Sequence, residues 1–360
     1  GVNKDSKKAC EWFEKAALRG HVVAQYGLGI LYGHSEELDL PPQPATALLW
    51  LEKAASAGHS GAQNALGIRY ARGIDVNQDY GKARAYWEQS AAGGDPEAQT
   101  NLGILYREGL GVTLDPATAK SWFEKAAAQG QTDALRNLGI IYASGDGVTQ
   151  DYKKAHDYWK QAAAQGDTTA QNNLAALYHD GLGVAQDLAQ ACQWWKTAAE
   201  QGNANAQNHL AVCYLQGEGT TQDNKKACEW FEKAALQGHP AAQYGLGILY
   251  SHSGELDLPP LPATALHWLA QAAAAGHSAA QNALGIRYAR GIDVIQDYDK
   301  AREYWEQSAA QGDPEAQTNL GILYREGMGV TQDPAAARAW FEKAAAQDFT
   351  AAKEALQNLQ

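Results

Sequence analysis

Four cysteines and ten histidines are the side chains of this 360-residue chain best suited to nucleophilic or metal chemistry. Neither set is arranged for it. Cys10, Cys192 and Cys228 stand ten residues before a recurring glycine, where other stretches of the chain put Leu48, Arg84, Lys120, His156 or Arg302. A position open to Leu, Arg and His reads as variable helix surface, not as a metal ligand. No Cys-x-x-Cys pair occurs. Cys213 takes the place of Leu105 or Ile141, so it is expected to be partly buried. Neighbouring antiparallel helices would set it level with Cys228, which leaves a Cys213–Cys228 disulfide open. His21, His59, His239 and His277 each follow a helix-ending glycine and read as turn residues, and no His-x-x-x-His pair points to zinc. Gly145-Asp146-Gly147 has no strand before it, so it is no dinucleotide fingerprint. Serine never lies in a Gly-x-Ser-x-Gly elbow. Glu14, Glu52, Glu88 and Glu124 recur beside lysines such as Lys15, Lys53 and Lys125, a pattern of solvated charge. No catalytic, cofactor-binding or metal site is therefore expected, and the chain is not expected to be an enzyme.

The net charge of −12 argues against a broad nucleic-acid or anionic-membrane surface, which needs clustered Lys and Arg. It permits a basic partner. No apolar run approaches the ~20 residues that span a bilayer.

What the chain does contain is a period. An Ala-Ala pair followed by Gly recurs, with the glycines at Gly20, Gly58, Gly94, Gly130, Gly166, Gly202, Gly238, Gly276 and Gly312, and a tenth copy ending in Asp348. Seven of the nine intervals are 36 residues and two are 38. Such a period means a solenoid or similar array. Residues 1–360 thus read as a single repeat array without a linker, in which each repeat touches mainly its neighbours.

Within one repeat, Asp187 precedes a helical pattern over 188–201, and an Asp stands at the same place at Asp79, Asp115, Asp151, Asp223, Asp297 and Asp333. Its carboxylate suits the free amides of a first helical turn. Alanine follows four residues later (Ala83, Ala119, Ala155, Ala191, Ala227), then an aromatic three further on (Tyr86, Trp122, Tyr158, Trp194, Trp230). These share one helix face. A second helix over 204–216 carries Ala206, Leu210 and Tyr214, matching Ala98, Leu102, Gly103 and Tyr106. A mid-helix Gly costs about 1 kcal/mol against Ala. Its recurrence calls for close helix approach, with the aromatic of the other helix filling the space. The chain therefore reads as all-α, an α-solenoid of about ten helix-turn-helix repeats. Ile30, Ile68, Ile104, Ile140, Ile248, Ile286 and Ile322 are expected to pack between successive repeats.

The run Asn101-Leu102-Gly103-Ile104-Leu105-Tyr106, then Gly109-Leu110-Gly111-Val112, then Ala119-Lys120-Ser121-Trp122-Phe123-Glu124-Lys125-Ala126-Ala127 strongly resembles the Sel-one-like repeat family, relatives of the tetratricopeptide repeats. The resemblance covers the whole chain. It implies a right-handed superhelix and a non-enzymatic scaffold that binds a protein or peptide partner. It also brings a narrower alternative, a bacterial immunity protein that occludes a secreted toxin such as a lipase or phospholipase, in keeping with the acidic balance. On the same ground the bacterial periplasm is favoured over the cytoplasm. A cell-wall-acting enzyme is a third, weaker reading. The paired cysteines of one family branch are missing here, so its activities are not carried over. In related repeats the second helix lines the concave side. That places Tyr26, Asn64, Arg136, Asn172, Asn208, Tyr244 and Asn282 on the groove, with Arg72, Arg107, Asp180, Arg290 and Arg325 following each Tyr. These polar positions vary on a fixed frame, as a binding surface requires.

A second period lies above the first. The first four repeats return as the last four at an offset of 218, beginning with Lys7–Leu18 repeated unchanged at Lys225–Leu236. The longer loop returns as well: Leu38, Asp39, Leu40 and Pro41 match Leu256, Asp257, Leu258 and Pro259. These Pro-stiffened loops are candidate partner-contacting ledges.

Overall fold

The computed structural model describes residues 6–33, 43–251 and 261–358, with the side chains of 6 and 7 left out. The eight ledge residues Leu38–Pro41 and Leu256–Pro259 lie outside the described residues. Every element among the described residues is a helix. The first helices of the repeats are α1 (Ser6–Ala17), α3 (Pro44–Ser56), α5 (Tyr80–Ala92), α7 (Pro116–Ala127), α9 (Tyr152–Ala164), α11 (Leu188–Glu200), α13 (Asn224–Leu236), α15 (Pro262–Ala274), α17 (Tyr298–Ala310) and α19 (Pro334–Ala345). The second helices are α2 (Val22–Gly33), α4 (Ser60–Arg72), α6 (Pro96–Glu108), α8 (Thr132–Ser144), α10 (Thr168–Asp180), α12 (Ala204–Gln216), α14 (Pro240–Ser251), α16 (Ser278–Arg290), α18 (Pro314–Glu326) and α20 (Thr350–Gln357). Packing divides the chain into two compact units, residues 1–177 with 181–185 and residues 178–180 with 186–360. In each, a helix packs on the one before and the one after it, as α4 does on α3 and α5 and α16 on α15 and α17. The fold is an α-solenoid.

The local signals act as their chemistry dictates. Asp79 Oδ1 accepts from Lys82 N at 2.9 Å, and Asp115, Asp151, Asp187, Asp223, Asp297 and Asp333 cap their helices likewise. The two helices that follow the long loops, α3 and α15, start from Gln43 and Leu261 with no side-chain cap. Gly58 and its equivalents sit at positive φ with open space around them, so backbone conformation, not crowding, selects glycine there. Asp348 adopts the same conformation (φ 61°) in the last repeat, a region Asp tolerates better than most residues.

The mid-helix glycines do admit an aromatic, but not the expected one. A methyl group on Gly103 would come 2.5 Å from Phe123 Cε1, and one on Gly67 would enter the Trp87 ring. The buried aromatic is thus the residue after the predicted position: Trp87 rather than Tyr86, Phe123 rather than Trp122. It belongs to the next helix along the chain, so α4 closes on α5 and α6 on α7. The predicted aromatics flank this core, and Trp12 is 68% exposed. Ile68 packs on the cluster of Ala83 and Trp87, and Ile104 on that of Ala119 and Phe123, so the isoleucines join successive helices.

One frame residue went unread in the sequence. Gln63, Gln99, Gln171, Gln207, Gln243, Gln281 and Gln317 are buried and donate Nε2 to the backbone carbonyls of Ala55, Ala91, Ala163, Ala199, Ala235, Ala273 and Ala309 at 3.1–3.4 Å. Each adds a second donor to a carbonyl in the last helical turn that already accepts from the amide of the helix-ending glycine, as Ala199 does from Gly202 N at 3.0 Å. Gln129, Gln237, Gln311 and Gln347 then donate to Gln99, Gln207, Gln281 and Gln317, linking successive repeats.

The cysteine expectations are corrected. Cys10, Cys192 and Cys228 are buried, not surface residues, and all four cysteines are free thiols. Cys213 shares a hydrogen bond with Cys192, not a bridge with Cys228. That bond and burial push the Cys213 thiol up, and burial with Glu232 and Glu229 nearby pushes Cys228 up to about 11. Cys213 and Cys228 are therefore unreactive core thiols, while the same hydrogen bond moves Cys192 down. Among the described residues no cluster of His, Cys, Asp or Glu could hold a metal.

Candidate partner-binding site

Helix α4 departs from the frame at one core position. Where α6 has the fully buried Leu105, α4 has Arg69, 8% exposed. Where the following turn of α6 has Gly111 at φ 67°, that of α4 has Asp75 at φ 60°. The two departures meet: Arg69 Nη1 donates to Asp75 Oδ2. The same exchange recurs 218 residues on, where Arg287 Nη1 lies 2.5 Å from Asp293 Oδ2 and Asp293 has φ 58°. A buried arginine paired with a surface aspartate in the left-handed region is weaker packing than Leu with Gly. It is kept in both copies.

Beside Arg69 lies an open-mouthed cleft of about 490 Å³ between α2, α4 and the start of α6. Its floor is Ile30, Ala65, Ile68 and Ile74, and Ile74 is 41% exposed. Its upper wall is Tyr26, whose ring stacks on His59 with centroids 4.5 Å apart. His59 is itself fixed, because its Nδ1 accepts from Ala62 N at 3.2 Å as the N-cap of α4. The four His positions read as turn residues are therefore caps: His21, His239 and His277 do the same for α2, α14 and α16. Asp95 and Glu97 complete the rim. Burial, then the charges of Glu97 and Asp95, hold the Tyr26 hydroxyl above its ordinary range, so it stays protonated. Tyr244 is pushed up in the same way by burial, Glu315 and Asp313.

The predicted groove residues divide. Tyr26 and Arg72 line the cleft, and their counterparts Tyr244 and Arg290 stand at the matching places, with Tyr244 stacked on His277 at 4.8 Å. Asn64 and Asn282 also belong there, but they do not face solvent, being 5% and 4% exposed. Asn64 Oδ1 accepts from Asn101 Nδ2 at 3.1 Å and Asn282 Oδ1 from Asn319 Nδ2 at 3.1 Å, so they tie α4 to α6 and α16 to α18. Arg107 donates to Asn137 and Glu108, and Arg136 pairs with Asp133 at 2.7 Å and Asp167 at 2.6 Å. Arg325 pairs with Glu326 at 2.7 Å. These arginines are engaged within the fold. Asn172 is half-buried and donates to Asn173 at 3.3 Å, and Asn208 is half-buried. Asp180 pairs with His179 at 2.6 Å, which raises the His179 imidazole. The sequence reading missed Arg69, Asp75, Asp95 and Glu97. The signal for the first two was present, since Arg replaces Leu and Asp replaces Gly in the same two repeats.

The geometry defines a class: an α-solenoid of helical-hairpin repeats with a polar site let into an apolar frame. The Sel1 repeat model matches ten consecutive segments, the first 1–21 and the last 314–349. The chain belongs to the Sel1 repeat family. It is similar to c5321, described as a protective antigen present in uropathogenic Escherichia coli strains, with 33% identity over 100% of this chain and 82% of that one and a TM-score of 0.73. A Sel1 repeat protein of Oxalobacter formigenes aligns at 32% identity over 87% of this chain and 90% of its own, with a TM-score of 0.65. The immunity protein Pa5087 of Pseudomonas aeruginosa aligns at 22% identity over 61% and 83% of the two chains, and its TM-score of 0.41 is too low to carry an argument. The comparison with curated proteins gave no match.

Proposed function

We propose that this chain is a non-enzymatic scaffold that holds a protein partner on the exposed face of its second helices. The pairing of the buried Arg69 with Asp75 at the surface, repeated as Arg287 with Asp293, carries the reading. Neighbouring repeats show that Leu and Gly serve the fold at these positions, so the pair answers to something else. Beside it stand a cleft with an apolar floor and a charged rim. The long loops at Leu38–Pro41 and Leu256–Pro259 are proposed as additional contacts.

The test is affinity capture from the native host with the full chain and with the exposed double variant R72E/R290E. Partner recovery with the wild type and its loss with the variant are expected. Equal recovery by both, or none by either, overturns the reading. Recovery of a single basic, toxin-like protein at equal stoichiometry would narrow it to immunity.

A further inference from the structure

The cleft is polar at its two ends and apolar between them. Asp95 is spent within the fold, accepting from Glu97 N, Ala98 N and Ser90 Oγ at 2.9–3.1 Å. Arg69 is neutralised by Asp75. The ionic groups left to a ligand are Glu97 at the Tyr26 end and Arg72 at the other, both exposed. Asn101 lies level with Asn64 across their hydrogen bond. Glu97 is four residues above that level and Arg72 eight below, which at 1.5 Å per residue separates them by about 18 Å. The isoleucine floor lies between.

The same set recurs in the second unit. Tyr244, Ile248, Asn282, Arg290, Asp313 and Glu315 repeat their counterparts, and α18 repeats α6 residue for residue, exposed positions included; Glu315 Oε2 in addition accepts from Asn282 Nδ2 at 2.9 Å, which leaves Oε1 to a ligand. First helices changed meanwhile at Leu49 to His267, Glu52 to Ala270 and Ala85 to Glu303. One difference at the cleft is matched to its neighbour. Gly33 leaves room for the Arg69 guanidinium, while Ser251 at that place accepts a hydrogen bond from Arg287 Nη2.

We propose that each chain holds two copies of one kind of ligand, an extended partner segment of about five residues, since ~3.3 Å per residue spans the charged ends. The segment carries Lys or Arg against Glu97 or Glu315, an aliphatic side chain over the isoleucines, and Asp or Glu against Arg72 or Arg290. Charge complementarity fixes this occupant: a wholly basic or wholly acidic segment leaves one end repelled. The proposal rests on the scaffold reading for its biological sense but not for its test.

The probe is the blocked peptide Lys-Ser-Ile-Ser-Glu, whose Lys, Ile and Glu share one face of an extended chain, titrated into the full chain by calorimetry. Two sites per chain are expected. E97Q or E315Q alone should weaken one of the two sites about tenfold and leave the other unchanged, and the double variant should weaken both about tenfold, the loss of one charge-assisted contact each. Both glutamates are exposed, so an unchanged thermal melt of the variants is the folding control. Equal affinity for Lys-Ser-Ile-Ser-Lys, Glu-Ser-Ile-Ser-Glu or Lys-Ser-Ser-Ser-Glu, a single site, no binding, or indifference to E97Q/E315Q each overturns the proposal. A captured partner whose binding ignores E97Q/E315Q would sink the clefts and leave the scaffold. Peptide binding at two sites with no partner captured would do the reverse.

Discussion

Helix α6 puts Leu105 where α4 puts Arg69, and the turn after α6 puts Gly111 where the turn after α4 puts Asp75. Around this exchange the two helices keep the same frame: Ala62 and Ala98, Gln63 and Gln99, Leu66 and Leu102, Gly67 and Gly103 are buried at matching places. The array therefore absorbs a change of function at one position because each repeat draws its core from its immediate neighbours. A polar site can be let into one repeat without disturbing the next.

The largest effect should come from breaking the pair on one side. Asp75→Ala leaves the buried Arg69 charge without its carboxylate; because Asp75 itself is open to solvent, the cost falls below that of a fully buried pair, at about 1–3 kcal/mol. Urea denaturation should show a sharp loss for this variant. The double variant R69L/D75G copies the solution of α6 and should be neutral or stabilising. A double variant as unstable as D75A would mean that the surroundings of α4 have adapted to the ion pair, and the two helices would not be interchangeable frames.

Crowding comes next. Gly103→Ala presses a methyl against Phe123 and should cost about 1–3 kcal/mol. In the second unit Ala211 already stands in the cluster with Phe231, so the reverse change A211G should cost only about 1 kcal/mol through helix propensity. Equal costs would show that the two cores pack at the same distance, contrary to the close approach at Gly103. Gln207→Leu should cost about 0.5–1.5 kcal/mol, because the Ala199 carbonyl keeps the Gly202 amide but loses its second donor, and Gln237 loses its acceptor. Leu135 already occupies this position in α8, so L135Q should be neutral or stabilising.

The frame was legible in the sequence because it is written by local chemistry: an Asp before most first helices, a glycine closing most repeats' first helices, and Ala and Leu at helical spacing. The aromatic register was misread by one residue, since both aromatics of a pair such as Trp122-Phe123 lie near the helix face and only the contact with Gly103 selects between them. Burial depends on neighbours the local sequence does not contain. Helices α1 and α13 share Cys-Glu-Trp-Phe-Glu-Lys-Ala-Ala-Leu, yet Phe13 is 37% exposed and Phe231 only 3%, because α12 covers Phe231 with Val212 and Leu215. The cleft was half legible. Tyr26 and Arg72 follow from the groove pattern. Arg69 and Asp75 required a tertiary pairing across a left-handed turn.

The smallest effect separates His-capped from Asp-capped helices. Burial depresses the His239 and His277 imidazoles, and the charge of His239 adds to the effect at His277. Each caps through a neutral Nδ1 that protonation would remove, placing a positive charge at a helix N-terminus. Above the ordinary histidine value of about 6.5 both folded and unfolded states are neutral and the caps are complete. As pH falls through that value the unfolded state takes up protons first, so stability is lost down to the depressed folded values. His179 works the other way, since Asp180 raises it and its contribution fades as pH rises. Replacing His277 by Asp copies the cap that Asp313 gives α18. A carboxylate cap keeps its charge through this range, so H277D should make the stability loss between about pH 7.5 and about pH 5.5 shallower than in the wild type. His179 is unchanged in the comparison and cancels. Urea midpoints of wild type and variant at the two pH values give the answer. An unaltered pH loss in H277D would assign the acid sensitivity to groups other than the cap.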